Sequence, residues 1–142
     1  MKRMKWLAVL LGAYVGIVGA FESFVMIMGQ RQAADGVRAG ESWLIVTTTE
    51  SGRSSDTVVG GVASAGHLYV AANHWPRGWY HRAIANPDVE VTQAGQKAPY
   101  RAVPVAGEER EQIARDYTLP WLVRFLTGFP PREFLRLDPR AP

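Results

Sequence analysis

The spacing of apolar positions changes near residue 40. Trp6 to Met28, WLAVLLGAYVGIVGAFESFVMIM, is an apolar run of 23 residues with Glu22 as its one charge. As a helix it measures about 34 Å, enough to cross the hydrocarbon layer with some tilt. GQRQAADGVRAGE (29–41) is polar and punctuated by glycine, and reads as a linker or a frayed helix end. Short β-rich runs follow: SWLIVTTTE (42–50), TVVGGVA (57–63) and HLYVAA (67–72), the last two joined as a hairpin by Ser64-Ala65-Gly66. Gly60-Gly61 marks a bulge or a close backbone approach. WYHRAIA (79–85) predicts a short helix stopped at Asn86-Pro87, and VEVTQ (89–93) and APYRAVPV (98–105) flank Ala94-Gly95-Gln96 as a second hairpin. EEREQIARDY (108–117) predicts a helix whose first turn carries Glu108 and Glu109, where the dipole favours acids. Ile113, Ala114 and Tyr117 face the core at helical spacing. EFLRLD (133–138) alternates and ends at Pro139. Five or six short strands with two helical pieces predict an α+β, mainly β fold, a small barrel with helices packed outside it.

Charge sharpens the division. Residues 1–40 hold five of the sixteen basic groups and two of the thirteen acids, so the whole net charge of +3 resides there and residues 41–142 are balanced. The basic character therefore belongs to the leading segment and marks no nucleic-acid-binding face. The expected organisation is an anchor helix and linker over 1–40 and one barrel domain over 41–142. Lys2, Arg3 and Lys5 before the apolar run favour a cytoplasmic N-terminus for an uncleaved single-pass anchor in contact with lipid through residues 6–28. The same pattern with Val18-Gly19-Ala20 fits a cleavable signal peptide, and Glu22 followed by Ser23 fits a buried or interfacial helix. The side of the membrane on which the barrel lies stays open. The chain contains no cysteine, which excludes disulfides, thiolate metal sites and cysteine nucleophiles.

The histidines at 67, 74 and 81 recur every seven residues. Pro76 and Gly78 break any helix that would align them, and no His-x-x-x-His pattern or adjacent acid completes a metal site. TTTESGRSSD (47–56) offers serines without a G-x-S-x-G elbow, so serine hydrolysis has no support. Its Ser51-Gly52-Arg53-Ser54-Ser55 portion reads instead as an anion cradle of hydroxyls, backbone N–H groups and a guanidinium, although hairpins are commonly Ser- and Gly-rich without binding anything. In NHWPRGWYHRAIANPDVEV (73–91), Trp79 and Ala83 at i, i+4 are explained by core packing. Asn73, His74, Trp75 and Arg77 together are not. Small residues at Ala71-Ala72 let a flat ring approach the backbone, with Asn73 and His74 at its polar edge and Arg77 available to a phosphate or carboxylate.

These residues resemble the deazaflavin-dependent nitroreductases, split β-barrel proteins related to flavin-binding, pyridoxamine-phosphate-oxidase-like barrels. The resemblance runs through Val46-Thr47-Thr48-Thr49, Gly52-Arg53, Tyr69-Val70-Ala71-Ala72-Asn73, Trp79-Tyr80-His81, Ala85-Asn86-Pro87-Asp88-Val89-Glu90-Val91 and Phe134 to Pro139. It implies a split barrel of about six strands that binds coenzyme F420 and passes hydride to a quinone, nitro compound or similar acceptor. A membrane quinone suits the anchor. By position, Arg53, Ser54 and Ser55 would hold the phosphate-bearing tail. Ala72, Asn73 and His74 would line the ring, with Arg77, Trp79 and Tyr80 closing the site. Tyr117 and His74 are the candidate catalytic groups. Barrels of this kind are often homodimers. The residues themselves leave open a flavin (FMN)-linked barrel enzyme and a non-catalytic, membrane-tethered ligand-binding barrel without a cofactor.

Overall fold

The computed structural model describes residues 2–35, 43–73, 78–129 and 131–141. Its order is α1 (Lys2–Asp35), β1 (Trp43–Glu50), β2 (Arg53–Ser64), β3 (His67–Ala72), α2 (Gly78–Ala85), β4 (Asp88–Gln93), β5 (Gln96–Pro104), α3 (Gly107–Asp116), α4 (Trp121–Leu126) and β6 (Glu133–Pro139). The six strands close into an antiparallel barrel in the order β1-β2-β3-β6-β5-β4. Closure removes the exposed sheet edges that a small mainly β domain otherwise has to protect.

Three hairpins share one turn chemistry. Ser51-Gly52, Ala65-Gly66 and Ala94-Gly95 each place both central residues at positive φ, between 49° and 80°. That is the two-residue turn whose twist matches paired strands, and glycine in second place removes half its steric cost. The turn at Ser51-Gly52 is tighter than the sequence suggested. Arg53, Ser54 and Ser55 are already in β2, opposite Glu50, Thr49 and Thr48.

β2 is twelve residues long and changes neighbour at its glycine pair. Its first part runs against β1 as far as Gly60, which faces Trp43, and Gly61 begins the pairing with β3 opposite Val70. The pair is therefore a barrel corner as well as a point of close approach.

Side-chain parity separates two cores. Leu44, Val46, Val59, Val70, Ala72, Val89, Val91, Ala102, Leu135 and Leu137 fill the barrel, where Tyr80 and Ala83 of α2 join them. Tyr69, Ala71 and Phe134 face outward from the same strands and pack beneath Ile113 of α3, with Ala114 and Tyr117 beside them. β3 and β6 are thus buried on both faces, whereas β4 alternates buried and exposed. The expected core face of α3 and the stop of α2 are both present. Asn86 N–H closes on the Arg82 carbonyl at 2.8 Å, and Asn86 Nδ2 donates to the Thr49 carbonyl at 3.3 Å.

A charged cluster pins α3 to the barrel wall. Arg136 of β6 donates from Nη1 to Glu109 at 2.9 Å and forks onto Asp138 at 2.8 and 3.2 Å, while the Tyr69 hydroxyl donates to Glu109 at 2.9 Å. Arg136 holds the Asp138 carboxyl below its usual range. Burial pushes Glu109 up, but the bonds from Arg136 and Tyr69 outweigh it and leave its carboxyl lowered too. Carboxyls lowered on folding add stability above their unfolded values of about 4, and that stability is lost as pH falls through the lowered folded values. Urea denaturation across pH 2–6 (roughly the span of carboxylate titration) should therefore show an acid limb that Arg136→Met flattens.

α1 does not stand clear of the barrel. It lies against β2 and α4. Tyr14, Val18, Phe21, Glu22 and Val25 form its less exposed stripe, at i, i+4, i+7, i+8 and i+11. The Tyr14 hydroxyl donates to the Phe125 carbonyl at 3.0 Å, and Val18 packs on Gly128. Lys5 to Met28 is long and apolar enough to cross a membrane. α4 was not expected from the sequence pattern.

Candidate functional site

The positions singled out in the sequence fall on two faces of the barrel wall. Successive strand residues point to opposite sides, and parity from Leu44, Val46 and Val59 puts Thr48 and Ser55 on the inner face. There Arg82 of α2 reaches into the barrel end, donating from Nε to Thr48 Oγ1 at 3.0 Å and from Nη2 to Ser55 Oγ at 3.4 Å. Thr48 is wholly buried. Arg82 escaped the sequence reading because nothing local to W-Y-H-R shows that its partner is a threonine 34 residues earlier. Ala72 and Tyr80 also belong to the inner core, and Trp79 packs against it. Four of the proposed ligand-binding residues, Ser55, Ala72, Trp79 and Tyr80, thus serve α2 docking and the barrel interior.

The outer face carries the rest. Ser54 shares a hydrogen bond of 3.1 Å with Thr49 near the hairpin, while Arg53, which shares the parity of Ser55, is exposed at the hairpin end of the barrel. Asp56 lies next on this face, accepting a hydrogen bond from Thr47 Oγ1. About 20 Å along the strand from Ser54, at the rise of a β residue, Gly60 leaves the wall without a side chain. The Tyr117 hydroxyl occupies that gap: a Cβ on Gly60 would stand 2.4 Å from it. Asn73 Nδ2 donates to the same hydroxyl at 3.0 Å. His74 and Arg77 lie outside the described residues, as do Trp75 and Pro76.

The Asn73–Tyr117 pair has properties a packing role does not require. Asn73 is 8% exposed. Its Oδ1 is buried and meets no donor among the described residues. A buried acceptor without a partner costs roughly 1–3 kcal/mol, so it marks a place where a ligand N–H is favoured. Tyr117 stands at the C-terminal end of α3, and its ring meets Phe134 edge-on at 6.1 Å. Burial pushes its phenol above the ordinary tyrosine value. It is therefore protonated at neutral pH, and because Asn73 donates to its oxygen, its own O–H remains available as a donor. Arg132 holds this end of α3 by donating to the backbone carbonyls of Tyr117 and Ala114. Like Arg82, it was not legible in sequence, since it lies 15 residues from the carbonyl it caps.

His67 and His81 are on separate elements, β3 and α2. His67 approaches Asp138 at 3.9 Å and His81 stands edge-on to Tyr80. Among the described residues no group of three metal-ligating side chains converges.

If Gly60 is small because Tyr117 needs its space, Gly60→Ala should cost about 1–3 kcal/mol, the range for overpacking. The loss should shrink in a Tyr117→Phe background, where the clashing oxygen is gone. A double-mutant cycle in urea measures this coupling directly.

The comparisons with known proteins agree with this architecture. No curated protein matches the chain. A solved F420-H2-dependent reductase is 24% identical, with a TM-score of 0.55, over 72% of this chain and 100% of its own. A domain-swapped dimer is 25% identical, with a TM-score of 0.55, over 82% and 95% respectively. A Listeria innocua protein assigned as a pyridoxamine 5'-phosphate oxidase shares the fold at 13% identity and a TM-score of 0.51, over 84% and 94%. The model of the F420H(2)-dependent quinone reductase family matches residues 26–122, which include β1 to β5, α3 and the Asn73–Tyr117 pair. The chain therefore belongs to the F420H(2)-dependent quinone reductase family, and is an oxidoreductase whose cofactor is coenzyme F420.

Proposed function

We propose that the protein transfers reducing equivalents from reduced F420 to a quinone or a comparably electron-poor acceptor such as a nitro compound, and that it does so on the outer face of β2. The observation that carries this reading is the buried Asn73 Oδ1, which meets no donor among the described residues, beside a protonated Tyr117 whose hydroxyl sits over Gly60. The residues on this face fit such a cofactor. Asn73 suits an N–H at a ring edge, Ser54 suits a phosphate-bearing tail, and the exposed Arg53 could reach the same phosphate around the hairpin end of β2. When bound, the deazaflavin supplies hydride chemistry that no side chain here can. The chain's share is to orient the ring through Asn73, to exclude water with α3, and to offer a proton from the Tyr117 hydroxyl to the acceptor as it is reduced. His74 and Arg77 remain candidate cofactor-binding residues on the strength of the sequence alone.

We further read residues 1–40 as an uncleaved anchor and linker and 41–142 as the cofactor-binding domain. Tyr14, Val18 and Glu22 pack on the folded domain, and cleavage after Ala20 would remove Tyr14 and Val18, which hold α4. A membrane-resident quinone is the acceptor that this placement favours. A homodimer is the assembly suggested by the domain-swapped relative.

Titration with F420, followed by quenching of intrinsic tryptophan fluorescence, tests the cofactor site. Arg53→Ala should weaken binding by about 1.5–3 kcal/mol, the value of a charged hydrogen bond. Asp56→Asn, which keeps the acceptor for Thr47, should strengthen it by about 0.2–1 kcal/mol by removing a surface charge from the tail's path. No quenching at any concentration up to tens of micromolar (roughly the weak end of cofactor affinities) would overturn the reading. With a quinone as acceptor, Tyr117→Phe should lower turnover by about 10²-fold or more if the phenol gives its proton in the transition state. Unchanged turnover with F420 still bound would remove Tyr117 from the chemistry.

A further inference from the structure

α4 is short, yet it presents the most exposed apolar side chains of the barrel domain. Trp121 is 67% exposed, Leu122 58% and, just past its end, Phe129 45%. Side chains of this size do not group on a soluble surface without a partner. Their rings form a continuous series. Trp121 stacks on Phe125 at 5.4 Å and 19°, Phe129 meets Phe125 edge-on at 6.3 Å, and Phe125 lies 5.0 Å from Tyr14 of α1. The aromatic surface thus runs directly into α1, whose other faces from Trp6 to Met28 expose Leu7, Val9, Leu10, Leu11, Val15, Ile17, Phe24, Met26 and Ile27. Arg124 is the one charged residue between Trp121 and Phe129, and its guanidinium lies over the Phe129 ring at 5.7 Å.

We infer that α4 and Phe129 form a second lipid-contact surface that seats the barrel on the bilayer beside α1, in place of a barrel tethered at a distance. Tyr14 and Val18, the residues that hold α4, fall inside the apolar span and not beyond its end. Any lipid that receives this part of α1 therefore also meets α4. Tryptophan and phenylalanine with one arginine suit the boundary between acyl chains and anionic headgroups. A water-exposed second copy of the chain accounts less well for the patch, because it would have to cover the bare faces of α1 as well. α4 begins four residues after Tyr117, so this seating brings the candidate site to the membrane surface, where a lipophilic acceptor is concentrated. The inference rests on α1 entering the membrane and is independent of which acceptor is used.

Because the chain has no cysteine, Leu122→Cys and Gln93→Cys each give one site for an environment-sensitive fluorophore such as NBD. Both residues are exposed, and Gln93 ends β4 next to the Ala94-Gly95 turn. Full-length labelled protein is mixed with phosphatidylcholine–phosphatidylglycerol vesicles and floated on a density gradient. The expected result is co-flotation, with a several-fold rise and blue shift of the Leu122 probe, quenching by lipids brominated in the acyl chain, and no change at Gln93. Trp121→Asp with Leu122→Asp should raise the fraction left unbound and weaken its dependence on phosphatidylglycerol. Co-flotation with an unchanged Leu122 probe overturns the inference and leaves α1 as the sole anchor. Failure to float overturns both. A Leu122 probe already shifted before vesicles are added, in proportion to protein concentration, assigns the patch to a second copy and overturns lipid contact.

Discussion

The contact between the Tyr117 hydroxyl and the bare backbone of Gly60 is the constraint on which the outer face depends. It places the end of α3 against the corner of β2, and Asn73 fixes it there with one amide proton. Any side chain at position 60 would push the phenol away and take from Asn73 Nδ2 the acceptor it has among the described residues. The arrangement leaves one acceptor and one donor facing the same small region. In a medium of reduced dielectric both are worth more to a ligand than they would be in water, and both cost more when left alone.

The two cores explain why the barrel can support such a face. Its interior is packed by aliphatic side chains and by α2, whose Arg82 is tied to Thr48 and Ser55. β3 and β6 carry a second apolar layer on their outer side, and α3 covers it. A helix packed over an outward-facing layer creates a boundary between covered and open wall. The unmatched Asn73 oxygen lies at that boundary. Arg132 and Arg136 then hold α3 from opposite directions, one through backbone carbonyls and one through Glu109.

α1 and α4 impose a second order on the molecule. A lone apolar helix would leave its relation to the barrel open. A helix whose inner stripe of Tyr14, Val18 and Glu22 is engaged by the folded domain fixes which side of the barrel lies beside that apolar helix. The Asn73–Tyr117 pair and the apolar surface of α4 share the short connection from Tyr117 to Trp121.

Much of this was legible in the order of residues. Period-two runs bounded by glycine turns fixed the strands, helical spacing of Ile113, Ala114 and Tyr117 fixed the buried face of α3, and the Trp79-to-Val91 block indicated the family. These are local signals, set by backbone sterics and by which face of an element is apolar. The choice between inner and outer wall was not local. Ser54 and Ser55 are adjacent in sequence and chemically alike, yet strand pleating sends one toward the open face and the other into the grip of Arg82. Tyr80, legible only as an aromatic near a candidate site, becomes barrel core, while Tyr117 reaches Asn73 because a glycine 57 positions earlier yields space for its hydroxyl. Composition and periodicity determined the six strands, the apolar helix α1, and α2 and α3, but not α4. The closure of the barrel, which alone decides what stands opposite what, determined which of the candidate residues meet.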